Sequence, residues 1–108
     1  MKKQSELPAS YKGFVQRFPR LAEAWALTRE AGGEGPLDER TIRLIKLGIT
    51  IGAFKEGATH AAVRKALAVD IPREAMEQVV VLAAGTIGFS AAVAAYAWIS
   101  DTIDSKNQ

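Results

Sequence analysis

The sequence predicts an all-α fold, a bundle of about five to six helices. Three observations lead there. Apolar residues recur at helical spacing, as in Leu21, Ala22, Trp25 and Ala26, or Met76, Val79, Val80 and Ala83. Pro19, Pro36 and Pro72 fall between the patterned segments, where they can start helices without breaking them. The one stretch that alternates like a strand, Leu47-Gly48-Ile49-Thr50-Ile51-Gly52, is short and has no partner strand elsewhere.

Taken in order, residues 1–7 are polar and expected to be disordered. A short apolar-patterned segment follows through Tyr11, Phe14, Val15 and Phe18, and Pro19 opens a second helix. Gly32-Gly33-Glu34-Gly35-Pro36 ends that helix and makes a connector. Asp38 is placed as N-cap for the next helix, which carries Ile42, Leu44, Ile45, Leu47 and Ile51. Within it, Gly48 and Gly52 lie one turn apart, a spacing that lets another backbone come close. A central helix runs from Lys55 to about Ala68, and Val69-Asp70-Ile71-Pro72 interrupts it. The helix after Pro72 is apolar nearly all round, through Met76 and Val79 to Ala83, and is therefore expected at the centre. Gly85-Thr86-Ile87-Gly88 separates it from a last helix running from Phe89 toward Ile103. Residues 104–108 are polar and expected to be disordered.

With 108 residues the expectation is a single domain over 1–108. Much of its apolar content is alanine, which buries little area per residue. Self-association, with helix faces completing their burial against another copy, is therefore expected. The net charge is +2 with acids and bases interspersed, too weak and mixed to suggest nucleic acid or a membrane surface as partner. The stretch Val79–Ser100 holds no charged residue, but glycines divide it and alanine dominates it, so two buried helices explain it better than a membrane span. Polar residues follow Met1-Lys2-Lys3 where a signal peptide would be apolar, which makes the cytoplasm the expected location. There is no cysteine, so disulfide and thiolate chemistry are excluded, and one histidine cannot build a His-rich zinc site.

The chemistry-bearing stretch is IGAFKEGATHAAVRKAL, residues 51–67. Residues four apart share a helix face, so Glu56 and His60 point the same way, with Arg64 one turn further. A carboxylate beside an imidazole can handle protons without a cofactor. The same spacing also serves as a plain helix-stabilising pair. Arg64 suits a forked grip on a substrate carboxylate, or a salt bridge at a subunit contact. Lys55, Arg40 and Arg43 could meet anions, though solvated positions are their usual fate. Trp25, Tyr96 and Trp98 could line a pocket or serve as packing. A helix-turn-helix reading of Lys55–Leu67 fails for want of charge and of Asn or Gln to read bases.

These strings, with IPREAMEQVVVLA and GFSAAVAAYAWI downstream, resemble the carboxymuconolactone decarboxylase family, which includes the alkyl hydroperoxidase D-like proteins. The resemblance spans about Leu21 to Ile99. It implies a helical bundle assembled as trimers or hexamers, with sites near subunit contacts. The family's hydroperoxidase branch uses a cysteine pair that aligns with Lys55 and Ala58, so a thiol peroxidase is excluded. Its decarboxylase branch removes carbon dioxide from a lactone acid without a cofactor. That likeness implies Glu56 as a catalytic residue, Arg64 as the substrate-carboxylate ligand, and no cofactor or metal, and the spacing adds His60 as the catalytic partner of Glu56. The family's histidine aligns with Ala62, and His60 lies two residues earlier, about 200° around the helix. The alternative is a non-catalytic relative that binds a small acid or serves as an oligomeric scaffold.

Overall fold

The computed structural model describes residues 9–106, all of whose regular structure is helical. The helices are α1 Ala9–Arg17, α2 Pro19–Gly32, α3 Glu39–Gly52, α4 Glu56–Ala68, α5 Arg73–Ile87 and α6 Phe89–Lys106. The disorder expected over residues 1–7 lies outside the described residues. By contacts the chain divides after Pro36 into two compact units, where its length alone leads to one domain. The division falls at the glycine-rich connector that follows α2.

In the first unit, Pro19 occupies the first turn of α2 and Phe18 turns the chain out of α1. The Phe14 and Phe18 rings meet at 5.2 Å across that corner, with the Arg17 guanidinium 5.0 Å from the Phe18 ring centre. Neither helix buries a residue fully, and Leu21, Trp25 and Leu27 remain exposed.

The second unit holds the core. Helix α4 packs on α3 and α6, and α5 packs on the same two, so four helices surround one interior. That interior is Leu47 and Ile51 from α3, Val63 and Ala66 from α4, Met76 and Val80 from α5, and Ala95, Ile99 and Ile103 from α6, with Ile71 closing one end. The ambiguous stretch from Leu47 to Gly52 is helical, because helical spacing puts Leu47 and Ile51 together inside.

Caps set the helix boundaries. Asp38 accepts the Thr41 N–H at 2.8 Å and opens α3. Helices α3 and α4 both end in paired Schellman bonds. Lys55 N–H donates to the Thr50 carbonyl and Phe54 N–H to Ile51, while Ile71 N–H donates to Ala66 and Asp70 N–H to Leu67. The left-handed position is filled by Phe54 (φ 56°) and Asp70 (φ 63°), where glycine is usual. Phe54 is held there by its ring, which meets Trp98 of α6 at 4.8 Å. The α5–α6 corner does need its glycine, since Gly88 has φ 94°.

Three expectations change. A Cβ on Gly52 would meet nothing, and one on Gly48 would make only ordinary contact with a Val79 methyl, so among the described residues no backbone comes close at either glycine. Helix α5 is not enclosed: Val81 and Leu82 are each 71% exposed, because α3 and α6 cover one side of it only. Helix α6 also outlasts its apolar pattern. It continues through Asp104 to Lys106, and Arg73 at the start of α5 donates to the Asp104 carboxylate at 2.7 Å. No helix among the described residues is long and apolar enough to cross a membrane.

Candidate functional site

The α3–α4 corner fixes where the site residues start. Thr59, fully buried, donates to the Lys55 carbonyl at 2.8 Å and lies 3.1 Å from the Thr50 hydroxyl, tying the first turn of α4 to α3. His60, the next residue, then emerges beside α6. One turn on, Arg64 follows on the same face, while Val63 and Ala66 go inward.

His60 and Arg64 line one hollow of about 310 Å³, open to solvent, whose other wall is Asp101, Thr102 and Ser105 of α6. Glu56 does not line it. Its carboxylate lies 3.5 Å from His60 Nε2, an ion-pair contact longer than a normal hydrogen bond, with the Glu56 side chain 62% and the His60 side chain 26% exposed. On the ring's other nitrogen, Nδ1 meets the Thr102 hydroxyl at 2.5 Å. That hydroxyl in turn donates to the Trp98 carbonyl at 3.0 Å. The imidazole is thus held between an exposed acid and a buried hydroxyl. Glu56 and Nε2 pair directly only when a proton lies between them, and without one both are exposed enough for water to solvate each separately.

Arg64 is exposed and makes no ion pair within 4.0 Å among the described residues. Its guanidinium keeps its donors available for an anion. Asp101 and Ser105 bring an acceptor and a hydroxyl to the same hollow. Such a lining offers a carboxylate one forked cationic partner and offers a hydroxyl or ring oxygen several weaker ones. Among the described residues no group of three or more His, Asp or Glu side chains is placed to hold a metal ion.

Of the three residues singled out from sequence, the structure brings His60 and Arg64 into one hollow and sets Glu56 beside it. The other candidates have different tasks. Arg40 donates to the Val69 and Asp70 carbonyls and closes the end of α4. Arg43 lies 3.8 Å from Glu39 on its own helix. Trp98 packs on Phe54, and the Arg29 guanidinium lies 6.0 Å from the Trp25 ring centre. The α6 wall was missed. Its signal was present: Ala95, Ile99 and Thr102 keep helical step, so a polar residue falls on the buried face of α6 and must find a partner there.

A four-helix core with a histidine and an arginine one turn apart on α4 defines a small all-helical protein with one polar hollow at its α4–α6 seam. Residues 19–101 match the Carboxymuconolactone decarboxylase family, and the chain belongs to that family. No curated protein and no solved structure matches it significantly.

Proposed function

We propose that the chain is a cofactor-free carboxy-lyase acting on a small carboxylated lactone or related ring acid. The observation that carries this reading is the joint lining of one hollow by His60 and Arg64, which has no ion pair among the described residues, with Glu56 on the imidazole. Arg64 takes the substrate carboxylate in a forked contact. That carboxylate leaves as carbon dioxide, and the electron pair of the broken carbon–carbon bond passes into the conjugated lactone carbonyl as a dienolate. One proton from the His60–Glu56 pair is then delivered to carbon, and water restores it to the pair. Arg64 also balances the enolate charge, which develops only as the reaction proceeds.

The open hollow needs a cover to exclude water, and we assign that role to a second copy of the chain within a trimer or hexamer. Support comes from the apolar side chains left outside: Val81 and Leu82 on α5, and Phe89, Val93 and Tyr96 at helical spacing along α6. A cytoplasmic location belongs to the same proposal.

One observation favours a second reading, a non-catalytic relative that binds a small acid or serves as a scaffold. Ala62, where resemblance places the family's histidine, is 8% exposed and packed in the core, so the hollow is served by His60 alone. Carbon dioxide release from a panel of carboxylated lactones separates the two. Wild type should turn over at least one of them, His60→Ala should keep its helical spectrum and lose about a hundredfold in turnover, and Arg64→Gln should raise KM. Equal turnover by His60→Ala would remove the imidazole from the mechanism. Binding without release by wild type would select the second reading.

A further inference from the structure

Thr102 occupies a core position of α6, in step with Ala95 and Ile99, and is 7% exposed. A hydroxyl so buried must place its single proton and satisfy its oxygen within the protein. The proton goes to the Trp98 carbonyl at 3.0 Å, one turn back on the same helix. The oxygen then presents a lone pair to His60 Nδ1 at 2.5 Å, and only an N–H on Nδ1 completes that contact. We infer that Thr102 is a positioning residue that holds the neutral His60 ring with its proton on Nδ1 and its free nitrogen, Nε2, toward Glu56.

Free imidazole leans toward the opposite tautomer, so the preference comes from the fold. The competing arrangement puts the proton on Nε2, with Nδ1 accepting from a Thr102 hydroxyl turned away from Trp98. What it gains is a 3.5 Å contact to a carboxylate that is 62% exposed and already solvated. What it loses is the Thr102–Trp98 bond, whose hydroxyl donor is only 7% exposed and which is therefore the harder of the two for water to replace. The less exposed bond decides the tautomer.

The consequence deepens the lyase reading and rests on it: any proton His60 exchanges crosses at Nε2, the nitrogen beside Glu56, and none crosses at Nδ1. His60 is the only histidine, so its two ring nitrogens are the only imidazole signals in a heteronuclear NMR spectrum of nitrogen-labelled protein. At about pH 9, where an ordinary imidazole is neutral, that spectrum reads the tautomer directly. Wild type and Thr102→Ser should show a protonated Nδ1 and a bare Nε2. Thr102→Val, which keeps the shape and removes the hydroxyl, should lose that pattern to the Nε2–H form.

A wild-type ring dominated by Nε2–H, or a pattern unchanged in a folded Thr102→Val, would overturn the assignment. Should Thr102→Val not fold, the wild-type and Thr102→Ser spectra decide it. In the carbon dioxide assay, Thr102→Val should lose turnover and Thr102→Ser recover it. A switched tautomer with full turnover would overturn the positioning role. No turnover by wild type would sink the lyase reading, while the spectrum would still judge the tautomer on its own.

Discussion

At the α3 N-terminus, the Thr41 backbone N–H donates to the Asp38 carboxylate, and with help from the Thr41 side chain this holds the Asp38 carboxyl below the usual carboxylate range. A carboxyl whose folded value is depressed adds stability that is fully present above its unfolded value, about 3.9. That stability is lost as pH falls through the folded value. Thermal melts should therefore show Asp38→Ala less stable than wild type near neutral pH, with the gap closing as pH falls through and below the usual carboxylate range. Asp38→Asn should cap α3 without that pH dependence; an equal acid-induced loss in Asp38→Asn would show that the carboxylate is not its source. This cap was legible in the sequence because N-capping is local. So was the shared face of Glu56, His60 and Arg64, which follows from spacing alone. The Thr102 contact joins residues 42 apart in sequence, and no local pattern states which two helices will touch.

Helices α3 to α6 were largely readable, since prolines, glycines and caps mark their ends. What the pattern could not show was a polar side chain recruited to hold an element in place. Arg40 is the example: from the first turn of α3 it reaches the Val69 carbonyl at 2.6 Å and the Asp70 carbonyl at 3.2 Å, beyond the end of α4. Those carbonyls carry the negative end of the helix, so a guanidinium is well matched to them. Arg40→Ala should lower unfolding free energy by about 1 kcal/mol, below the usual range for charged hydrogen bonds because the site is exposed. Chemical denaturation checks this, and an unchanged midpoint would show that the clamp holds nothing. Helix α6 overran its expected end for the same reason. The Arg73–Asp104 ion pair ties its last turns to α5, and ion pairs between distant residues leave no periodic trace.

At the scale of the whole molecule, the described residues of α5 and α6 keep large apolar side chains on the outside. Phe89 is 81% exposed, and with Val93, Tyr96, Val81 and Leu82 it makes α5 and α6 apolar on the outside as well as within. Sedimentation should find a trimer or hexamer, and Leu82→Glu with Phe89→Glu should shift it toward monomer while leaving helix content unchanged. A monodisperse wild-type monomer would contradict that account. Family membership and the helical bundle were recognisable from sequence, because they rest on strings spread over most of the chain. The hollow was not, because three of its five lining residues come from a helix end that reads as a polar tail.

The most direct test uses the lone imidazole as the reporter of its own surroundings. Titrating a small carboxylated lactone into labelled protein should move the His60 ring signals along a saturating curve, and Arg64→Gln should abolish or greatly weaken that response. Ring signals that never move, or that move equally in Arg64→Gln, would contradict the placement of an acid in the hollow between α4 and α6.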